Sequence, residues 1–454
     1  MADPILTPTI DALIAEINAL KAAASAPPVD DTIIVTNAAE LQAALDGSSE
    51  KTIVVQPGRY TGNFTLKPKS TKTTVQGLTG VDGRVTPGLA FPQLWCGDPT
   101  LPVLNAVGAA HDYSFYGLEF SGAAPDRDLM VIGPIDMTDP AQMPFNFLFD
   151  QCYAHGVNDM GHRGIQINAI NWTISHCHFS EFVEVGRDSQ AIAIGVGGGH
   201  FQILDNHLEA SGENFMIGGV DPKIQGMLPG PGLISGNYCY KDPAWKTKYP
   251  GSVKNLGELK LGDGITIEKN TFENCWVDAQ PGSGFLLTVR NQGGTAPWST
   301  VTNIIIRCNT IIGVANFAFN ILATDDLKPS VTAENVSIID NLCTNCAAGI
   351  QLAGGIKGLT CTGNVMPGLK KNFLALSGAP NSGFVFTGNF VAAGLYGISG
   401  SNAGVGTPSL DLYCPGYVFT GNTIEKSAAR TIPYPAGNTI VATGAVTPDP
   451  WTCH

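Results

Sequence analysis

A short phrase recurs through the chain: an apolar residue, two further residues, an Asn, one more residue and a second apolar residue. The Asn positions are Asn206, Asn237, Asn270, Asn309, Asn341, Asn364, Asn389 and Asn422, and two earlier copies carry Cys152 and Cys177 in the same slot. From 152 to 422 these positions are separated by 25, 29, 31, 33, 39, 32, 23, 25 and 33 residues. A unit of about 30 residues repeated this often is the signature of a solenoid.

Each copy of the phrase is short, rich in β-branched and aromatic residues, and bounded by Gly or Asn, which is typical of a β-strand. Because short strands alternate with connections of variable length, the repeat predicts an all-β, right-handed parallel β-helix of about 12 coils. We expect the Asn side chains to stack as a hydrogen-bonded ladder, with the Asn backbone in the left-handed region at each corner. Cys152 and Cys177 would fill the same slot without the amide bonds.

Composition agrees with stacked strands and excludes several partners. Only 14% of residues are charged, against about 25% in ordinary domains, and 54 of the 454 residues are Gly. The formal net charge of −13 makes nucleic acid and anionic membranes poor partners. No apolar run reaches the roughly 18 residues that a membrane span needs. The N-terminus lacks a basic region before its apolar residues, so no signal peptide is predicted.

The cysteines and histidines give no clear metal signal. The 11 cysteines are odd in number, and the single C-x-x-C pair, Cys343 and Cys346, has no second pair, so buried core thiols are the preferred interpretation. Histidines cluster on the early coils, at His155, His162, His176 and His178, but their spacing does not define a metal site. The sequence therefore predicts no metal-binding residues.

Three domains are predicted: residues 1–31, 32–424 and 425–454. In the first, residues 5–25 read as a helix with apolar residues at a and d spacing, detached from the rest by Pro27 and Pro28. A detached helix of this length is marginal alone, so we expect it to form a homo-oligomer, with a trimer as the expected state, or to dock to another protein. The second domain is the β-helix, and residues 425–454 are expected to leave the repeat and cap its C-terminal end.

Residues 32–66, at the start of the β-helix, have the pattern of an N-terminal cap followed by a first coil. Residues 32–35 predict a strand, residues 37–45 a short amphipathic helix capped by Asn37 and Glu40, and residues 52–66 the first coil. A capping helix is expected there because it covers the exposed end of a solenoid. This stretch resembles the N-terminal cap and first coil of the pectate-lyase-like right-handed β-helix superfamily, which implies the same fold for this chain.

Polar residues are densest between 187 and 300. We expect one strand of the same sheet in each of the segments 187–194, 209–217, 254–261 and 284–292, on successive coils. Side chains that alternate with the apolar ones would project outward in a column within about 15 Å. The candidate catalytic residues are Asp188, Glu213, Lys254, Glu258 and Arg290. The candidate substrate-binding residues are Asn214, Trp245, Lys260, Trp276, Asn291, Gln292 and Trp298.

Carboxylates, cationic side chains and aromatic rings on one groove are typical of a carbohydrate site. The acids could supply an acid–base pair for glycoside hydrolysis. Alternatively, they could hold Ca²⁺, the one cofactor considered, while Arg or Lys takes a proton beside a uronate carboxyl group. A third interpretation is a structural ion-pair network that ties long turns to the shaft. Asp325 and Asp326 resemble the paired acids of polygalacturonases, but the companion motifs of that family are missing.

Part of the sequence resembles uncharacterised bacterial right-handed β-helix-repeat proteins, which are usually exported. The resemblance lies in segments 209–219, 253–260, 272–280 and 284–300. A β-helix with an N-terminal appendage also resembles phage spike, fibre and capsid-decoration proteins. Two functions therefore stay open. The first is a surface-displayed, virion-associated protein that binds glycans, with or without depolymerase activity. The alternative is a polysaccharide lyase or glycoside hydrolase acting on an acidic polysaccharide, with an extracellular location if the chain is not phage-encoded.

Overall fold

Three parallel β-sheets wind around one core in the computed structural model, which describes residues 31–47, 51–448 and 453. The sheets have 15, 14 and 12 strands, and each strand pairs in parallel with the corresponding strand of the next coil. We name them sheets 1, 2 and 3 in the order in which the chain visits them within a coil. The described residues thus form the right-handed parallel β-helix that the repeat predicts.

The strand bounds show how regularly the chain revisits each sheet. Sheet 1 contains Thr32–Val35, Lys51–Val55, Thr73–Gln76, His111–Tyr116, Phe145–Asp150, Ile170–Ser175, Phe201–Leu204, Gly232–Ser235, Gly262–Asp263, Ile265–Glu268, Val301–Arg307, Glu334–Ile339, Lys357–Thr362, Val385–Thr387 and Val418–Thr420. Sheet 2 contains Arg59–Thr61, Gln93–Trp95, Glu119–Ser121, Tyr153–His155, His178–Phe182, His207–Ala210, Tyr238–Tyr240, Thr271–Cys275, Thr310–Val314, Leu342–Thr344, Val365–Met366, Phe390–Ala392, Thr423–Glu425 and Thr439–Val441. Sheet 3 contains Phe64–Leu66, Leu104–Ala106, Asp128–Ile132, Arg163–Ile167, Gln190–Ile194, Glu213–Ile217, Gly257–Leu259, Phe285–Thr288, Phe317–Leu322, Ala348–Ala353, Asn372–Ser377 and Gly397–Gly400.

The helices are short and lie outside the sheets. The capping helix Ala38–Asp46 begins as predicted, because the Asn37 side chain accepts a hydrogen bond from the Glu40 backbone N–H at 3.0 Å. Its buried residues Leu41 and Leu45 cover the first coil. The others are the 3₁₀ turn Pro140–Gln142 and the helices Trp245–Lys248 and Thr407–Tyr413. No helix among the described residues is long and apolar enough to cross a membrane, and the predicted helix 5–25 lies outside the described residues.

The asparagine ladder forms at the corner between sheets 1 and 2. Asn309 is typical: its Oδ1 accepts from the backbone N–H and the side-chain amide of Asn270, at 3.0 and 2.9 Å, and its own amide donates to Asn341 Oδ1 at 3.0 Å. Cys177 continues the ladder by donating its backbone N–H to Asn206 Oδ1 at 2.8 Å. The ladder satisfies buried polar groups that the corner would otherwise leave unpaired.

One detail of the corner differs from the prediction. The left-handed backbone belongs to the residue before each ladder position, such as Asp205 with φ 53° and Lys269 with φ 56°, and not to the Asn itself. The physical reason is that the Asn backbone N–H and side-chain amide must both bond along the stack. The preceding residue therefore makes the turn.

The C-terminal segment also differs from the prediction. Strand Thr439–Val441 pairs with Thr423–Glu425, and Asn438 accepts from the Asn422 side chain at 2.8 Å, so the stack continues beyond residue 424. Cys453 forms a disulfide with Cys308, 145 residues earlier, which the cysteine count did not predict. The nine other cysteines are free and buried, as expected for core thiols.

Candidate functional site

A polar cleft of about 390 Å³ lies on the outer face of sheet 3. Register places Met216, Glu258, Leu286, Asn320 and Gln351 opposite one another on successive coils, so these side chains form one outward column. The neighbouring positions, such as Leu259 and Leu287, are buried in the core and hold the column in place. The cleft is lined by Glu258, Lys260, Gln280, Leu286, Thr288, Arg290, Gln292, Asn320, Leu322, Gln351 and Ala353.

Two ion pairs lie at one end of this cleft. Lys260 Nζ is 3.6 Å from Glu258 Oε1, and Lys254 pairs with Asp188 from an earlier coil. Burial lowers the pKa of Lys254, and the charge of Lys260 lowers it further, while Glu258 acts in the opposite direction. Four of the predicted residues therefore belong to one electrostatic cluster.

Glu213 belongs to the same cluster but is fully buried. Its Oε2 accepts a hydrogen bond from the Gln190 amide at 2.7 Å, whereas its Oε1 and the Oε2 of Glu258 have no hydrogen-bond partner. Burial raises the pKa of Glu213 to about 7, and the nearby charge of Glu258 raises it as well, while Lys260, the Gln190 hydrogen bond and the buried Lys241 act in the opposite direction. Two buried carboxylates with unused oxygens need either a proton or a cation between them.

Arg290 brings a fixed positive charge to the cleft. Its Nη1 donates to Asp325 Oδ1 at 3.2 Å and also to Asp326. Burial opposes the charge, but the bond to Asp326 and the charges of both acids raise the pKa of Arg290 overall. The pair Asp325 and Asp326 is thus a clamp for Arg290, which gives these acids a role that the sequence comparison with polygalacturonases did not suggest.

The structure places the predicted residues in two groups. Glu258, Lys260, Arg290 and Gln292 line the cleft itself. Asp188, Glu213 and Lys254 lie beside it through the ion pairs and charges described above. Their chemical roles stay a prediction.

Three predicted substrate-binding residues are wrong as surface groups because they are buried and bonded within the protein. The Asn214 amide donates to the Leu208 and Tyr240 carbonyls at 2.6 and 2.8 Å. The Asn291 amide donates to the Pro329 carbonyl at 2.8 Å, and its oxygen accepts from the Ala296 N–H at 2.8 Å. Trp245 is only 5% exposed and packs in the core.

The remaining tryptophans are half-buried and do not line the cleft. Trp276 packs against the core under the Lys246 ammonium, which lies 4.9 Å from its ring centre. Trp298 donates its indole N–H to the Met227 carbonyl at 3.4 Å. These rings therefore do not line this cleft, because side chains on the turns fold back onto the shaft, and their role as sugar platforms stays a prediction.

Several lining residues were missed by the sequence analysis. Asn320 and Gln351 belong to strands Phe317–Leu322 and Ala348–Ala353, which follow the polar stretch between residues 187 and 300. The signal was present, since each is a single amide within an otherwise apolar strand at the register of Glu258. Gln280 and Thr288 were inside the segment but carry no charge.

A second cleft, of about 300 Å³, lies on the outer face of sheet 1 and is lined by residues that include Asp150 and His176. Asp150 Oδ1 already accepts from the Ser175 hydroxyl and lies 2.8 Å from His176 Nδ1. Asp112 likewise accepts from the Asn146 amide at 2.8 Å. Because Asp150 and Asp112 already have these hydrogen-bond partners, this cleft is a weaker candidate for a catalytic site than the cleft of sheet 3.

No protein-family model and no curated protein sequence matches the chain. Solved structures, in contrast, do match the chain. A mannuronic-acid-specific polysaccharide family 6 lyase from human gut microbiota superimposes with a TM-score of 0.56 at 13% identity, covering 91% of each chain. The catalytic unit of a thermostable GH87 α-1,3-glucanase from Streptomyces thermodiastaticus gives a TM-score of 0.54 at 11% identity, covering 94% of this chain and 71% of that one. The chain therefore shares the parallel β-helix fold of these structures. At such low identity these likenesses establish the fold alone.

Proposed function

We propose that the cleft of sheet 3 binds and cleaves a polysaccharide. The observation that carries the proposal is the pair of buried carboxylates, Glu213 and Glu258. Each has one oxygen without a hydrogen-bond partner, and Glu258 lines the polar cleft, where its other oxygen pairs with Lys260. Burying two nearby carboxylates costs stability, so a purely structural role would favour replacing them with apolar residues. Perturbed groups in a cleft of amides and cations are typical of an active site. Both fold neighbours named above act on polysaccharides, which supports the same class of substrate here.

The charged side chains around the cleft favour a bound cation and an acidic substrate. Five carboxylates (Asp188, Glu213, Glu258, Asp325 and Asp326) and four cationic side chains (Lys241, Lys254, Lys260 and Arg290) act on the cleft or on Glu213, which leaves one unbalanced negative charge when all of them are ionised. One Ca²⁺, whose preferred ligands are hard oxygen donors, would offset this charge and leave one positive charge for the substrate. Glu213 Oε1 and Glu258 Oε2 fit this role because both are buried and unpartnered. When bound, the cation would neutralise a carboxylate of the substrate.

We therefore propose an acidic, uronate-containing polysaccharide that is cleaved by β-elimination. Arg290, held charged by its acid clamp, would bind the uronate carboxylate and position the sugar. Lys260, after loss of its own proton to solvent, would take the proton from the carbon next to that carboxylate as a neutral amine and become an ammonium group. The bond between the neighbouring carbon and the glycosidic oxygen then breaks, a carbon–carbon double bond forms, and the Lys260 ammonium returns the proton to the departing oxygen.

The test combines two assays on the full chain. Polymannuronate, other uronate polymers and a neutral α-glucan are incubated with the protein, and ultraviolet absorbance of unsaturated uronate is recorded together with new reducing ends. We expect both signals on a uronate polymer, loss of turnover after chelation and recovery with Ca²⁺. The Lys260→Met and Arg290→Gln variants should be inactive, whereas Glu334→Gln, an exposed acid on sheet 1, should match the wild type.

Each alternative predicts a different result. Reducing ends without unsaturated product would overturn β-elimination and favour hydrolysis, with protonated Glu213 as the acid. Neither signal on any polymer, together with measurable binding, would overturn catalysis and leave a glycan-binding protein.

We also propose that the protein acts outside the cytoplasm. The Cys308–Cys453 disulfide supports this, because such bonds form and persist in oxidising compartments. Display on a virion surface is the specific form of this proposal. Attachment through residues 5–25, as a trimer or by docking to a particle protein, rests on the sequence pattern of that helix.

A further inference from the structure

The outer face of sheet 2 carries a second cluster of metal-binding residue types. Strands His178–Phe182 and His207–Ala210 belong to adjacent coils, and register places His178 directly opposite His207. Glu209 lies two residues after His207 on the same strand, so its side chain is on the same face. The parallel stack thus brings together two imidazoles and a carboxylate that are separated in sequence by 29 and 2 residues.

The side chains are close enough to share one ion. The two imidazole rings are stacked, with centres 4.1 Å apart and planes inclined by only 3°. His207 Nε2 is 4.0 Å from Glu209 Oε2, and one donor atom from each of the three residues lies within 4.8 Å of the others. The side chains of His207 and Glu209 are each 18% exposed, which leaves a route from solvent.

The surroundings leave the carboxylate short of positive charge. Among the residues that the structure describes, the His207 ring is the one ion-pair partner of Glu209. Asp242, Glu181 and Asp159 lie near enough to act electrostatically on the Glu209 carboxylate, and all three are acids. Arg84 also reaches this side of the shaft: its guanidinium donates to the carbonyls of Asp205 and Gly236, at 2.7 and 3.1 Å, and its positive charge acts on both imidazoles. Glu181 pairs with His155 at 3.6 Å and Asp159 pairs with Lys248, so these two cations and Arg84 offset three of the four acids. An added cation would therefore meet an environment with a surplus of one negative charge.

We propose that His178, His207 and Glu209 bind one divalent transition-metal ion, with Zn²⁺ as the expected ion. Imidazole and carboxylate donors together suit Zn²⁺ rather than Ca²⁺, which prefers oxygen donors alone. Zinc bonds of about 2.0–2.1 Å place tetrahedral donors about 3.3 Å apart. The proposal requires that rotation of the three side chains closes the remaining distance with the backbone in place. The site is on sheet 2 and is independent of the cleft on sheet 3.

The experiment titrates the chelator-treated full chain with ZnCl₂ in a calorimeter and with CoCl₂ in a visible spectrometer. We expect one equivalent of Zn²⁺ and an intense Co²⁺ spectrum typical of four-coordinate geometry. Glu209→Gln should weaken Zn²⁺ binding at least tenfold, and His178→Gln and His207→Gln should abolish it. His111→Gln is the matched control, since His111 also lies beside an acid, Asp112, at 2.7 Å, and it should bind as the wild type does.

Two results would overturn the proposal: a wild-type protein that takes up no Zn²⁺, or Glu209→Gln and His207→Gln variants that bind as tightly as the wild type. Circular dichroism checks that each variant is folded. If a histidine variant unfolds, the near-isosteric Glu209→Gln variant decides alone, because it keeps the size of the side chain and removes only the charge.

Discussion

Replacing Glu213 by Gln should stabilise the protein and at the same time abolish its proposed activity. The substitution keeps the size of the side chain, and an amide oxygen can still accept the hydrogen bond from Gln190. It removes a charge that is buried beside Glu258. A residue that lowers stability is retained most readily where function requires it.

The direction and size of the effect follow from the pKa of Glu213. In the unfolded chain the carboxyl group ionises near its ordinary value of 4.5, whereas burial and the charge of Glu258 raise the folded pKa to about 7. Between these values the unfolded state releases its proton first, so wild-type stability falls as the pH rises through this window. A pKa change of one is worth about 1.4 kcal/mol, so the loss amounts to roughly 3 kcal/mol above the folded pKa.

Urea unfolding of both proteins at pH 5 and pH 8, in chelator, measures this difference. The Glu213→Gln variant should gain roughly 3 kcal/mol over the wild type at pH 8, with most of the gain absent at pH 5. Glu334→Gln, an exposed acid, should follow the wild type at both pH values. Adding Ca²⁺ at pH 8 should stabilise the wild type and leave the Glu213→Gln variant unchanged. Parallel pH profiles for the wild type and Glu213→Gln would refute the argument that the carboxyl group is destabilised by burial.

Two further predictions concern the shaft and its assembly. Asn309→Ala should lower the free energy of unfolding by about 2–5 kcal/mol, because it leaves the Asn270 N–H and the Ile267 carbonyl without partners in the buried corner. Asn438→Ala, at the partly exposed end of the ladder, should cost less; equal losses in denaturant midpoint would contradict the ladder argument. Deleting residues 1–28 should leave the circular dichroism of the β-helix unchanged and convert an oligomer to a monomer in sedimentation, and a full-length protein that is already monomeric would contradict this.

Register along the sheets explains why part of the candidate site could be predicted. Glu258, Lys260 and Arg290 follow apolar strand positions closely, and the alternation of side chains along a strand assigns them to the outer face. The roles of Asn214 and Asn291 could not be predicted in this way. Their amides bond to carbonyls of other segments, and only the packed coils reveal those partners.

The sequence by itself determined the repeat, the parallel β-helix and the ladder positions, because these depend on short segments whose period and residue types are local. The tertiary structure alone decided which side chains on different coils contact one another. Connections of variable length set which residues meet, and so Asp325 clamps Arg290 from 35 residues away, Cys453 reaches Cys308, and His178 stacks on His207. These contacts are long-range, and no local pattern encodes the lateral position of a turn on the shaft.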